Sequence, residues 1–166
     1  MKKTFALLMI TGLFSAFTAC AQRPSPPAKV SETTATGVKI SIDYSQPAVK
    51  GRTIGKEIAT YGKVWRTGAN EATVFEVNKA VKVEGKPLPA GKYSLYTIPG
   101  EKEWTIIINR SWDQSGTVYD QEKDALRAVV KPGKSAGFSE RMTFKIAKSG
   151  IVSLIWGNHQ VNFNLK

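Results

Sequence analysis

The stretch KVEGKPLPAGKYSLYTIPGEKEWTIIIN, residues 82–109, decides the fold class of this chain. It holds two runs rich in β-branched and aromatic residues, Lys92–Ile98 and Trp104–Asn109, joined by a Pro-Gly turn and three charged residues. Such runs are typical of β-strands, and the short connection predicts a hairpin. The second run is almost continuously apolar, so we expect it to be covered on both faces. Pro87 and Pro89 cannot donate to a ladder and mark a loop or an edge strand.

The same pattern recurs outside this stretch. Val38–Tyr44 alternates apolar and polar residues with the period of a half-buried strand. Further runs are Thr73–Asn78, Val81–Glu84, Leu126–Lys131, Met142–Ala147, Ile151–Trp156 and Val161–Leu165. About nine short strands predict an all-β fold, an antiparallel β-sandwich or a jelly-roll-like barrel in one domain. At most one or two short helices are expected, in residues 53–62 and 120–129.

The N-terminus has the pattern of a secretory signal, with two lysines, the apolar run Phe5–Phe17 and then small residues. The sequence FTAC resembles a lipobox, which predicts lipidation at Cys20 and a signal peptide over residues 1–19. The alternative is an ordinary cut after residue 21. We expect an exported lipoprotein on the periplasmic face of a bacterial envelope, with a soluble periplasmic or secreted protein as the alternative.

Residues 20–37 are rich in Pro, Ser, Thr and Ala without apolar periodicity, which predicts a flexible spacer before a single β domain over residues 38–166. Cys20 is the only cysteine, so the chain forms no internal disulfide. The formal net charge is +11 at pH 7, from basic residues that are scattered rather than clustered. We expect weak attraction to anionic envelope polymers, membrane attachment through a lipid anchor only, and no nucleic-acid partner.

The stretch YGKVWRTGANEATVFEV, residues 61–77, concentrates large polar and aromatic side chains. Trp65, Arg66, Asn70 and Glu71 are candidate ligand-binding residues, because a guanidinium grips carboxylates or phosphates and an indole stacks on rings. The structural alternative places Trp65 in the core. Arg66 then pairs with Glu71 as a buried brace, or with a strand-end carbonyl group, and Asn70 forms a turn.

Trp112 is a further candidate, because it lies in the polar loop NRSWDQSG, where an exposed indole has little structural reason to be. It lines a binding surface or caps the sandwich. His159 is the single histidine and lies in a predicted loop. The sequence does not indicate which residues would join it in catalysis or metal binding.

The residues show no catalytic constellation. The sequence has no Gly-x-Ser-x-Gly motif, too few Cys and His for structural zinc and no calcium-loop spacing. We therefore expect no metal and no cofactor. A pair of carboxylates among Asp43, Glu71, Asp113 and Glu140 would suffice for glycoside hydrolysis.

Two stretches together, YGKVWRTGANEATVFEV and VEGKPLPAGKYSLYTIPGEKEWTIIIN, resemble a family of exported bacterial proteins, domain of unknown function 2911. The resemblance runs from Ile42 to the C-terminus. Its central match falls on Tyr61, Gly62, Trp65, Arg66, Gly68, Ala69, Asn70 and Glu71. It implies a compact β domain behind a signal peptide, and it implies no catalytic residues because no activity is established for the family.

The leading hypothesis is a non-enzymatic binding or accessory module for a glycan, peptidoglycan or another polar envelope ligand. The alternatives are a carboxylate-based hydrolase of a carbohydrate-like substrate and a structural component of an envelope assembly.

Changing Cys20 to Ala removes the predicted lipid attachment point, so we expect the protein to move from the membrane fraction to the soluble fraction. Fractionation and mass spectrometry of the mature N-terminus check this. An unaltered distribution, or Gln22 at the mature N-terminus, contradicts lipidation.

Overall fold

The computed structural model describes residues 24–166, so the predictions for residues 1–23, including Cys20, lie outside the described part. The described residues form ten strands and one turn of 3-10 helix at Gln121–Lys123. The strands are β1 (Pro27–Thr33), β2 (Lys39–Ser45), β3 (Val74–Val77), β4 (Val81–Val83), β5 (Lys86–Leu88), β6 (Gly91–Ile98), β7 (Trp104–Asn109), β8 (Asp124–Val130), β9 (Pro132–Ile146) and β10 (Ile151–Asn164). In residues 24–166, no helix has the length and apolar character needed to cross a membrane.

Six strands form an antiparallel sheet in the order β1-β2-β3-β6-β7-β8. The sheet is a simple meander, except that the β4–β5 hairpin intervenes between β3 and β6 and leaves the sheet. Alternation along each strand gives the sheet one apolar face. Ile40 and Ile42 of β2 and Phe75 and Val77 of β3 lie on this face, and all are at most 1% exposed.

A second layer covers the apolar face. It consists of the long β9–β10 ribbon and the β4–β5 hairpin. Main-chain hydrogen bonds join the hairpin to the end of β10, including one from the N–H of Glu84, directly after β4, to the Asn164 carbonyl oxygen (3.0 Å). The ribbon contributes the buried side chains of Met142, Phe144, Val152, Leu154, Trp156, Val161 and Phe163. The predicted all-β antiparallel sandwich is thus confirmed, and the sheets do not close into a barrel.

Strand β7 matches its prediction closely. It lies between β6 and β8, and Ile106 and Ile107 point to opposite faces with 2% and 0% exposure. Ile106 lies in the core between the two layers, and the loop after β7 covers Ile107 on the outer face.

The spacer prediction for residues 20–37 is wrong where the structure describes the chain. Residues 27–33 form β1, which pairs with β2 along its whole length. The composition hides this strand because β1 lies at the edge of the sheet, where a proline at the first position removes no ladder bond. Its core-facing side chains, Ala28 and Val30, are small and only partly buried.

The first predicted helical stretch, residues 53–62, forms turns. Gly55 and Ala59 have φ values of +92° and +47°, outside the helical region. In the second stretch only Gln121–Lys123 is helical, and β8 begins at Asp124.

The C-terminal strands are longer than predicted. Met142–Ala147 overlaps the end of the 15-residue strand β9, and the runs Ile151–Trp156 and Val161–Leu165 largely belong to one strand, β10. The polar residues between these runs do not form a loop, because a register shift at Gly157 (φ +56°) absorbs them as a bulge. His159 therefore lies in β10, and its predicted place in a loop is wrong.

Gly150 ends the β9–β10 turn with φ +89°, and a Cβ there would clash with the carbonyl oxygen of Leu165. We expect Gly150→Ala to lower the free energy of unfolding well beyond the backbone strain of roughly 1–2 kcal/mol for a left-handed alanine. Gly85→Ala is the matched control, because Gly85 has φ +79° and nothing within 4 Å of the added Cβ. Urea unfolding measures both variants, and equal losses contradict the clash.

Candidate binding groove

The stretch from Trp65 to Thr73 leaves and rejoins β6 on the side of that strand that also pairs with β3. Trp65 exchanges two main-chain hydrogen bonds with Thr97 of β6 (2.8 and 2.9 Å), and the Leu95 N–H then donates to the Thr73 carbonyl oxygen (2.8 Å). The intervening residues form a loop whose two ends are both fixed to the same strand. We call residues 65–73 the strap.

Trp65 is partly buried and packs against the core of the sandwich. Its ring stacks on Trp156 with centroids 5.2 Å apart and planes 13° from parallel, and it meets Trp104 edge-on at 6.4 Å. These are preferred geometries for aromatic pairs. Trp65 therefore packs on the core, as the structural alternative predicted. Its side chain does not line the groove described below.

Buried threonines fix the shape of the strap. The Thr67 hydroxyl donates to Thr97 Oγ1 (3.1 Å), and the Thr73 hydroxyl donates to the Thr67 carbonyl oxygen (2.9 Å). A Cβ on Gly68 would lie 2.6 Å from Thr73 Oγ1 and 3.3 Å from the Ser45 carbonyl oxygen. The strap approaches its own end so closely that only glycine fits there without a shift.

Arg66 holds the far end of the strap. Its Nη1 donates to the Asn70 carbonyl oxygen (2.9 Å), and Asn70 adopts a left-handed conformation with φ +61°. The Arg66 side chain also packs on Gly116, where an added Cβ would lie 2.6 Å from its Cδ. Arg66 thus bonds a main-chain carbonyl group, but that of Asn70 in the strap and not the strand-end carbonyl of the structural alternative. A buried pair with Glu71 is wrong, because the Glu71 residue is exposed.

A groove of about 480 Å³ opens where the strap meets the loop after β7. It is lined by Asn70–Ala72, by Val74 of β3 and by Trp112–Ser115, and Glu71 forms a β-bridge with Ser115 across its base. The structure therefore brings three predicted candidates together, namely Asn70, Glu71 and Trp112. We call this hollow the Trp112 groove.

Trp112 is 39% exposed, and the Lys92 ammonium lies 5.0 Å from the centroid of its ring. This distance is that of a cation–π contact. Lys92 was not among the predicted site residues. The signal for it was the alternation of β6, which puts Lys92 on the face opposite the core residues Tyr93 and Leu95.

The loop that carries Trp112 is anchored at several points. Asn109 is fully buried, and its Nδ2 donates to the Asp120 carbonyl oxygen (2.8 Å) and to Asp124 Oδ1 (2.8 Å). Gln114 Nε2 and the Tyr96 hydroxyl both donate to the Val118 carbonyl oxygen, at 2.8 and 2.7 Å. These bonds hold the loop over the outer face of β6 and β7.

A charged network closes the loop. Asp124 Oδ2 accepts from Arg127 Nε (2.7 Å) and from the Tyr119 hydroxyl (2.8 Å), and Arg127 Nη2 donates to the same hydroxyl oxygen (2.6 Å). Burial, with a further contribution from the bond to Asp124, raises the pKa of Tyr119 to about 12. The phenol therefore keeps its proton and acts as a donor.

The groove continues past Glu71 into a second hollow of about 260 Å³, lined in part by Ala28 and Asp43. Asp43 forms an exposed ion pair with Lys29 at 2.9 Å. Glu140 lines neither hollow, and its Oε1 accepts from the Lys50 N–H (2.8 Å). Asp43, Glu71 and Asp113 are thus the acidic residues that line this surface.

His159 lines neither hollow, and burial lowers the pKa of its imidazole. Within residues 24–166, no three or more His, Cys, Asp or Glu side chains cluster in a way that could hold a metal ion.

Arg66→Ala removes the bond to Asn70 and the packing on Gly116, so we expect the free energy of unfolding to fall by about 1–2 kcal/mol. Lys63→Ala is the control, because Lys63 is an exposed cation in the same stretch. Chemical denaturation measures both variants. An Arg66→Ala protein as stable as Lys63→Ala contradicts a stabilising role for the Arg66 contacts with Asn70 and Gly116.

Tyr119 gives a pH dependence of stability. Its pKa is about 12 in the folded protein, against 10.0 for an unperturbed tyrosine. The unfolded chain therefore loses this proton first, and the contribution of Tyr119 is present below pH 10 and is lost as the pH rises towards 12. We expect the urea midpoint of the native protein to fall more steeply over this range than that of Tyr119→Phe. Parallel curves contradict this assignment.

In a comparison with known protein families, residues 25–165 match a family described as protein of unknown function (DUF2911). The matched range includes β1, the strap and every residue of the Trp112 groove. No curated protein matches the chain, and neither does any solved structure. The chain belongs to the DUF2911 family.

Proposed function

We propose that this protein is a non-enzymatic binding module of the bacterial envelope, and that the Trp112 groove holds a carbohydrate-like polar ligand. The observation that carries the proposal is a 39% exposed tryptophan in the wall of a groove whose other lining residues are mainly carboxylates, amides and a hydroxyl group. An aromatic face beside a few placed polar groups is the usual composition of small-molecule sites.

The chemistry of the lining suits a sugar. The face of the Trp112 indole that Lys92 does not cover offers a flat apolar surface to the C–H face of a pyranose ring. The carboxylate of Asp113 accepts hydrogen bonds from hydroxyl groups, bonds to a charged acceptor are stronger than neutral ones, and Glu71 adds a second carboxylate to the lining. Asn70 lines the same groove, but its Nδ2 already donates to the Ser25 carbonyl oxygen (3.2 Å), so its role there is to shape the wall.

The groove walls are held before any ligand arrives. The strap is fixed by Arg66 and the buried threonines, and the Trp112 loop is fixed by Asn109 and by the Asp124 network. The protein therefore loses little conformational entropy when a ligand binds, which favours affinity from a small contact area. The envelope location in this proposal rests on the predicted signal and Cys20.

Trp112→Ala tests the proposal. We expect at least a tenfold loss of affinity for soluble peptidoglycan fragments or for oligosaccharides found to bind on a glycan array, with an unchanged melting temperature. Phe138→Ala is the control, because Phe138 is a 60% exposed aromatic residue that does not line the groove. Saturable binding that Trp112→Ala leaves intact, or blank arrays and pull-downs with native protein, contradicts the proposal.

A second candidate function is hydrolysis of a carbohydrate-like substrate, and the observation in its favour is that Glu71 and Asp113 line the same groove. Two carboxylates across a cleft suffice for this chemistry. If the protein hydrolyses the glycan that it binds, Glu71→Gln and Asp113→Asn each abolish the release of reducing ends while binding persists. Stable glycan over long incubation with native protein removes this candidate.

A further inference from the structure

A separate cavity of about 300 Å³ lies at one end of the sandwich, and the proposed function does not use it. It forms where the β1–β2 turn, the β9–β10 turn and the end of the chain meet. Val38, Val81 and Leu165 supply its apolar lining, and they are 9%, 5% and 3% exposed. We call this cavity the end pocket.

Main-chain hydrogen bonds between different turns fix the walls of the end pocket. The Ala35 N–H of the β1–β2 turn donates to the Lys148 carbonyl oxygen of the β9–β10 turn (2.8 Å). The Leu165 N–H donates to the Gly150 carbonyl oxygen, also at 2.8 Å. The pocket is therefore preformed rather than a gap between mobile loops.

The rim of the end pocket carries two basic side chains. Lys148 and Lys166 line it and are exposed, and neither forms an ion pair within residues 24–166. A third ammonium, that of Lys79, lies 3.4 Å from the position of a Cβ on Gly37, in the turn that forms one wall.

No Asp or Glu is among the described residues that line the end pocket. Glu84 lines a neighbouring hollow together with Lys166, and its Oε1 accepts from the main-chain N–H (2.6 Å) and the Nδ2 (2.9 Å) of Asn164. Asn164 thus holds the acidic group of the β4–β5 turn in the neighbouring hollow, and the side chains that line the end pocket itself combine apolar contact with positive charge.

We propose that the end pocket binds a medium-chain fatty acid, with the alkyl chain against Val38, Val81 and Leu165 and the carboxylate between Lys148 and Lys166. An apolar lining under a cationic rim favours an amphiphile with a single anionic head over a neutral or cationic one. The volume is at the lower limit of the roughly 300–1,000 Å³ of small-molecule sites. A short single chain therefore fits, whereas a two-chain lipid does not.

Titration of the protein with octanoate, followed by calorimetry and by amide NMR shifts, tests this proposal. We expect saturable binding that shifts the Ala35 and Gly150 amides and leaves the Ser115 amide unmoved. Acetate has the same head without the chain, and octyltrimethylammonium has the same chain with the opposite charge. Neither should bind comparably, and equal binding of the cationic amphiphile would overturn the proposal.

Charge reversal supplies the matched variants. Lys148→Glu should weaken octanoate at least tenfold, whereas Lys102→Glu, the same change in the exposed turn at the other end of the sheet, should leave affinity unchanged. Equal effects of the two changes would show a general charge effect and refute the pocket. Octanoate shifts that map to the Trp112 groove also refute it, as does no saturation at millimolar concentration.

This proposal is independent of the glycan proposal. Trp112→Ala should bind octanoate with native affinity, because Trp112 does not line the end pocket. Loss of octanoate binding in that variant would contradict a separate site.

Discussion

The six-stranded sheet has one apolar face, and covering that face is the constraint on which the rest of the structure depends. A chain without an internal disulfide depends on core burial for its stability. The β9–β10 ribbon supplies most of the cover, and it meets the strap where Trp65 stacks on Trp156. The large aromatic side chains of Trp104 and Trp156 are almost fully buried there and fill this part of the sandwich.

The opposite face of the sheet is only partly covered, and this partial cover creates the candidate site. Over β6 and β7 the loop after β7 is bonded down by Asn109, Tyr96 and the Asp124 network, so the outward-facing Ile107 is buried. Over β3 the loop stops at Trp112. The groove lies at the boundary between the covered and the uncovered part of the sheet. The hydrogen bonds that hold the loop on the sheet determine where this boundary falls.

Sequence patterns predicted the interior strands well, because strands such as β6 and β7 are bounded by turn residues and rich in residues that pack on a sheet. They failed for β1, whose few core contacts leave a spacer-like composition, and at Gly157, where a bulge lets β10 continue through polar residues. For the site, Asn70, Glu71 and Trp112 were predicted from local composition. The pairing of the strap with the Trp112 loop was not, because the Glu71–Ser115 bridge joins residues 44 positions apart through sheet topology that no local pattern encodes.

The strap links the core to the groove through alternation of side chains. Trp65 points into the aromatic cluster, while its neighbour Arg66 bonds the turn that carries Asn70. Gly116 lies against that arginine and also close to the Glu71 carbonyl oxygen, so the turn and the Trp112 loop share one support. One step along the chain and one hydrogen bond therefore separate the core contact of Trp65 from the groove residue Asn70. The dense cluster of aromatic and polar residues in this short stretch thus lies where the core and the groove meet.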